Sequence, residues 1–216
     1  MLTSVSTESL RDVARTAVRT EVVRIAWDLF AHQGFEATTI EEIAERAGMS
    51  RRTFFRYFSG KDELIVEKLV EAGERVAAAL EARPEEESAW TALREAFQVV
   101  VVGQEQNPGP ARALRLMLRD EPGVRSSIEE WRRAWTHLLA PVLARRLSPD
   151  GPSSGSDIRA EAIAGAGLAC LDAAQLAWTE TPSTSLGKLL DQAMSAVCPT
   201  TDRSAAAKND RPGCPS

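Results

Sequence analysis

The chain has 216 residues, 44% of them hydrophobic and 26% charged, with a formal net charge of −5. That is enough apolar material for a core of ordinary size shared between a small module and a larger one. The acidic balance excludes a protein whose whole surface attracts nucleic acid, and leaves room only for a local basic patch.

The apolar period is helical almost throughout, which predicts an all-α chain. Residues 1–9 read as a flexible arm. Val18, Val22, Ile25 and Leu29 then stripe a first helix that Gly34 closes. Thr39 followed three positions later by Glu42 is a capping box, in which each side chain satisfies the other's backbone amide, so a second helix starts near Ile40. Ile43, Ala44 and Ala47 give it an apolar stripe, Gly48 supplies the positive φ that ends it, Met49 plugs the turn, and Ser50 caps a third helix.

On that third helix Phe54 and Phe58 share one side as a core pair, while Arg52 and Arg56 form a second i,i+4 pair with Thr53 and Tyr57 beside them. Arginine at the first two helical positions, Arg51 and Arg52, is locally unfavourable by about 0.3–1 kcal/mol each, because the helix dipole is positive there. A phosphate or a guanine edge would remove that penalty. Two short capped helices across a glycine turn, the second with three arginines and no acid, read as a helix-turn-helix whose recognition helix enters the major groove of DNA. A hairpin with a solvated basic face is the plainer alternative. Ser59 and Asp62 suggest a further capped start around Gly60, which places Lys61 in the first turn of a helix, suited to a backbone phosphate. Between Ser50 and Lys61 there are four positive residues and no negative one.

A longer helix is expected from Lys61 to about Leu80, tying this module to the body. After the break at Arg83-Pro84-Glu85, Trp90, Leu93, Phe97 and Val101 predict one helix, Asn107-Pro108-Gly109-Pro110 a turn, and Arg112 to Arg119 a short helix with Leu114, Met117 and Leu118 inside. From Val124 the stripe Ile128, Trp131, Trp135, Leu138, Val142 is amphipathic, with Pro141 expected to kink it. Residues 148–157 read as a mobile loop. Ile158 to Trp178 is packed with alanine and glycine, which lets another helix backbone approach, and Leu186, Leu189, Leu190, Ala193 and Val197 stripe a last helix before a disordered tail at 199–216. Two such helices suit a dimer interface, though they would also close a monomer core.

Three cysteines, Cys170, Cys198 and Cys214, have an odd count and no metal-ligand spacing, which fits a reducing cytoplasm. The two histidines, His32 and His137, stand in no catalytic motif, so neither a catalytic site, a metal nor a cofactor is expected. No signal peptide is evident and no stretch reads as long and apolar enough to cross a membrane, so a cytoplasmic protein with no membrane partner is expected.

The segment from about Arg15 to Leu69 resembles the amino-terminal domain of TetR-type (tetracycline-repressor-family) transcription regulators. The resemblance is carried by Phe30-Ala31-His32-Gln33-Gly34-Phe35, Thr38-Thr39-Ile40, Ile43-Ala44, Ala47-Gly48-Met49-Ser50 and Phe58-Ser59-Gly60-Lys61-Asp62-Glu63-Leu64. It implies a three-helix DNA-binding domain at 10–62 and a larger helical ligand-binding and dimerisation domain at 63–198. It further implies phosphate contacts by Thr39, Tyr57 and Lys61, with Ser50, Arg51, Arg52, Thr53 and Arg56 at the bases or adjacent backbone. Members usually carry tyrosine where this chain has Phe55 and often histidine where it has Tyr57; Phe55 cannot donate to a phosphate and would meet a thymine methyl or a sugar. The run Ser50 to Phe58, with the later tryptophans, is also similar to a branch of the family thought to bind acyl-coenzyme-A-like molecules.

By that resemblance Trp90, Phe97, Met117, Trp131, Trp135 and Trp178 surround a cavity for a small hydrophobic or amphipathic effector, although each would serve equally as ordinary core. Arg112 and Arg115 could steer an anionic group toward it. The expected function is a homodimeric repressor on a palindromic DNA operator, with recognition helices about 34–36 Å apart. The alternative is a constitutive DNA-binding or partner-docking protein with a solid body and no effector.

Overall fold

Short polar side chains decide where most of the helices begin. Ser9, Thr39, Ser50, Ser88, Asp157 and Ser185 each accept a hydrogen bond from a first-turn amide that the helix itself leaves unpaired. The computed structural model describes residues 9–120, 125–148 and 157–198, and among these it contains ten α-helices and no strand. They are α1 (Leu10–Gln33), α2 (Ile40–Arg46), α3 (Arg51–Tyr57), α4 (Lys61–Glu81), α5 (Ala89–Ala96), α6 (Gln98–Gln106), α7 (Pro108–Asp120), α8 (Arg125–Leu147), α9 (Ile158–Glu180) and α10 (Leu186–Val197). Gly34 and Gly48 have φ of 90° and 67°, the left-handed backbone that only glycine adopts without strain.

Two apolar cores follow from this order. The first gathers Val22, Ala26 and Phe30 of α1 with Ile43, Phe54, Phe58, Leu64 and Ile65, and α7 lends it Leu118. The second is the body, in which Phe97, Trp135, Leu139, Leu143, Leu168 and Leu190 are buried between α4, α5, α8, α9 and α10. Leu69, near the middle of α4, packs against both. The all-α reading and the helix-turn-helix at the amino-terminal end are what the structure has.

Several expectations need correction. The single helix expected after Trp90 is two, α5 and α6, meeting at Phe97, just before the β-branched run Val99–Val102 that weakens helical continuity. Pro108 to Pro110 is not a turn but the opening of α7, where an imino nitrogen costs no hydrogen bond. Leu139, fully buried, takes the core position expected of the half-buried Leu138. Pro141 lies on the exposed side of α8, which continues through it, because a carbonyl freed there can turn to water. α4 has no side-chain cap; Ser59 engages Glu63 rather than Asp62. The arm up to residue 8, the loop 149–156, the tail, Val124 and the side chain of Ile128 lie outside the described residues.

Among the described residues one helix, α9, is long and apolar enough to cross a membrane by length and composition, where none was expected. Its alanines raise the hydropathy without adding bulk, and here the helix packs against α5, α7, α8 and α10 as the centre of the body.

Gly73 sets the approach of α4 to α8: a Cβ there would lie 2.7–2.9 Å from the indole of Trp135. Gly73→Ala should therefore lower stability by about 1–3 kcal/mol through overpacking. A fall in the urea midpoint at unchanged slope is the expected reading, and an unchanged midpoint would mean that the indole yields freely.

Candidate functional site

Helix α3 is held from behind by local bonds. Thr39 Oγ1 accepts from the Glu42 amide at 3.2 Å, and Glu42 Oε2 accepts from the Thr39 amide at 2.8 Å, which completes the capping box. The backbone amide and then the hydroxyl of Thr39 hold the Glu42 carboxyl below its ordinary value. The Met49 amide closes the turn on the Ala44 carbonyl at 2.9 Å, and Ser50 Oγ caps α3 on the Thr53 amide at 3.1 Å. Phe54 and Phe58, both buried, pin α3 to the core with ring centroids 5.3 Å apart.

Two cations lock this unit to its neighbours. Arg19 of α1 reaches the Tyr57 carbonyl at the end of α3, pairs with Glu63 at 2.8 Å and with Glu67, and lies 4.5 Å over the Phe58 ring. Lys61 Nζ donates to the carbonyls of Phe35 and Thr38, each at 2.8 Å, and stands 4.4 Å over the Phe35 ring. Two of its three N–H groups are thus spent on the corner between α1 and α2.

The outer face of α3 is what remains for a partner. Arg52, Thr53, Phe55 and Arg56 line one shallow groove, and Arg56 and Tyr57 continue into a second with Arg11, Ala14, Arg15 and Val18 of α1. Among the described residues Arg11, Arg15, Arg52 and Arg56 form no ion pair. Arg51 does, with Glu41 of α2 at 3.0 Å, which meets the dipole penalty from within the protein, and it lies 5.4 Å over the ring of Phe55, itself 45% exposed. Thr39 and Ser50 are exposed but already used as caps. Arg11 and Arg15 escaped the sequence reading; their four-residue spacing, continued by Arg19, was the signal that could have found them.

A narrow cavity of about 60 Å³ lies between α4, α6, α7, α8 and α9. Its wall includes Leu69, Leu114, Leu118, Trp131, Trp135 and Trp178, with Arg115, Gln104 and Gln175 as the polar members. Three of the six expected residues therefore line it. Trp90 is half-buried against the body core, Phe97 is fully buried beside Gly167, and Met117 faces Trp27 and Phe30 of α1. Helical period identifies an apolar face but not the face that meets a gap. Arg115 pairs with Asp172 at 2.6 Å, Arg132 shares that carboxylate at 3.2 Å, and Arg112 stacks 4.3 Å over Trp178. Cys170 is buried with its thiol pushed up by burial, and Cys198 is exposed and free.

Residues 22–67 match the family model described as bacterial regulatory proteins, tetR family, and residues 87–202 match the MftR C-terminal domain. The transcriptional regulator TcmR of Streptomyces glaucescens is 41% identical over 91 residues, 42% of this chain and 39% of TcmR. RutR of Escherichia coli is 28% identical over 109 residues, 50% of this chain and 51% of RutR. The chain thus spans two fifths to one half of the length of these relatives. Among solved structures, the repressor FadR of Thermus thermophilus in complex with lauroyl-CoA superposes with a TM-score of 0.57 at 23% identity, covering 91% of this chain and all of FadR. A regulator from Rhodococcus sp. RHA1 reaches a TM-score of 0.63 at 14% identity, covering 87% of this chain and 99% of its own. The relatives are transcription regulators and none is an enzyme.

The Arg19 clamp has a pH signature. Burial would raise the Glu63 carboxyl, but bonds from Arg19 and from the Ser59 amide and hydroxyl outweigh it and hold the group below its ordinary 4.5. A carboxyl depressed in the folded state adds stability that is complete above pH 4.5 and disappears as the pH falls through the folded value. Glu63→Gln should accordingly be less stable than wild type at pH 7 and lose less on acidification. Parallel denaturation curves from pH 7 to 3 would check this, and equal losses in the two proteins would remove Glu63 from the account.

Proposed function

The chain belongs to the TetR family of bacterial regulatory proteins and is a DNA-binding, helix-turn-helix transcription regulator, and from that premise we propose that it is a homodimeric repressor released from a palindromic operator by a small hydrophobic or amphipathic effector. Residues 10–62 serve as the reading head and 63–198 as the sensing and dimerising body. Arg52, Thr53, Phe55 and Arg56 face base edges, with Arg51 and Ser50 at the adjacent backbone. Thr39, Tyr57 and the remaining N–H of Lys61 face phosphates, joined by Arg11 and Arg15 at the start of α1.

The observation that carries the sensing half is the shared wall. Leu69, Leu114 and Leu118 line the cavity and also pack on the core of the DNA module. An effector that enters must displace them, and with them α4 and α7, against which the module sits. The coupling is reciprocal, so DNA must weaken the effector by the same factor. Acyl-coenzyme-A-like molecules, of the kind held by the Thermus FadR structure, are one class with the required amphipathy.

The exposed side of α9 supports dimerisation. Ala162, Gly165, Ala169 and Ala173 recur there at helical spacing with no bulky side chain, and a Cβ at Gly165 would meet nothing within 4 Å. A second copy of the same helix pair can approach such a surface closely. The constitutive alternative draws its support from the size of the cavity, well below the several hundred Å³ of a preformed ligand site.

Selection of genomic fragments by the purified protein, followed by sequencing, tests the reading: a palindrome with half-sites about one turn apart is expected, and retention of nothing specific would overturn it. On that operator, Arg52→Ala or Arg56→Ala should cost about 1–3 kcal/mol at a single base position, whereas Arg11→Ala or Arg15→Ala should weaken all sequences alike and reduce the salt slope by about one. Sequence-blind losses throughout would assign all four to the backbone. Ala169→Arg should convert the dimer to a monomer in sedimentation equilibrium and abolish tight operator binding, and an intact dimer would place the interface elsewhere.

A further inference from the structure

The cavity has a chemical asymmetry that a purely apolar ligand would not use. Indoles and leucines form most of its wall, yet two of the wall residues, Arg115 and Trp131, carry buried donors, Nε and Nε1, that meet no acceptor among the described residues. Trp131 is 6% exposed, so water offers its N–H little relief. Arg112 Nε, one helical turn before Arg115 on α7, is in the same condition. Charge adds to the imbalance: Arg115 and Arg132 share the carboxylate of Asp172, and among the described residues Arg112 meets the Trp178 ring and the Pro182 carbonyl but no carboxylate. Among the described residues three guanidiniums thus stand against one carboxylate.

We propose that the cavity takes a small apolar organic acid, whose carboxylate seats on Arg115 Nε and Trp131 Nε1 while its hydrocarbon lies against Trp135 and Trp178. This rests on the effector reading above and narrows it. A carboxylate brings two acceptor oxygens to two donors and a negative charge to a cationic surplus, and hydrogen bonds to an ionised acceptor are about twice as strong as neutral ones. An alcohol supplies neither the second oxygen nor the charge. A thioester supplies a single neutral carbonyl there, with neither the second acceptor oxygen nor the negative charge at that seat. The free acid is therefore the ligand, rather than its coenzyme A ester.

Isothermal titration calorimetry of the full chain with octanoate, 1-octanol and octanoyl-CoA tests this. Octanoate should bind at least tenfold more tightly than either of the others. Arg115→Met should reduce octanoate to the level of octanol while leaving octanol unchanged. Trp131→Phe, which keeps a ring and removes only the donor, should weaken octanoate selectively and stands in if the arginine variant does not fold. Octanol or octanoyl-CoA binding as tightly as octanoate, no binding by octanoate, or equal losses of acid and alcohol in the variants would each overturn the proposal. Genomic selection by the ligand-free protein is read independently: a specific operator without acid binding defeats this inference alone, whereas no specific operator defeats the regulator reading.

Discussion

The indole of Trp135 lies across Gly73 and donates to the Leu69 carbonyl at 2.7 Å, and this contact holds α8 of the body against the middle of α4. α4 begins at Lys61 inside the DNA module and ends at Glu81 inside the body. A helix is stiff along its length, so whatever moves its middle is delivered to the end that carries the module. The residues at that middle are also the walls of the cavity: Leu69 and Ala72 on α4, Trp135 on α8, and Leu114 and Leu118 on α7. Because packed interiors are bistable rather than compliant, the proposed effector would act among these side chains by selecting a different arrangement of helices.

The module at the amino-terminal end of α4 is cross-linked into one piece. Arg19 joins α1 to the end of α3 and to α4, and Lys61 joins the start of α4 to the corner between α1 and α2. Arg19 spends its donors on the Tyr57 carbonyl and on Glu63 and Glu67 of α4, and Lys61 spends two of its three on the Phe35 and Thr38 carbonyls. Four cations that form no ion pair among the described residues, Arg11, Arg15, Arg52 and Arg56, line two adjoining grooves that share Arg56. A chain of net charge −5 can in this way present a local basic face.

What was legible in the sequence was local. Caps announce themselves because donor and acceptor lie two or three residues apart, and the core pair Phe54 and Phe58 follows from helical period alone. The Arg19 clamp was not legible, since its partners Glu63 and Glu67 are 44 and 48 residues away and look like ordinary solvated acids. The cavity was only half legible for a related reason. Trp131, Trp135, Trp178, Trp90 and Phe97 are equivalent as apolar residues on helices, and only the mismatch between packed helices decides which of them face a gap. The break at Phe97 has no proline or glycine to mark it, and Pro108, a turn residue in most contexts, opens a helix when it falls at the first position.

The central claim is that the cavity and the recognition helices are coupled through α4 and α7. Ala72→Phe places on the cavity wall a side chain larger than the space available, and so imitates an occupied site without any ligand. Operator affinity measured by fluorescence anisotropy, with helicity and dimer mass confirmed on the same sample, should fall at least tenfold. An unchanged affinity in a folded dimer would mean that the body and the reading head are mechanically independent, and would leave the cavity without a regulatory role.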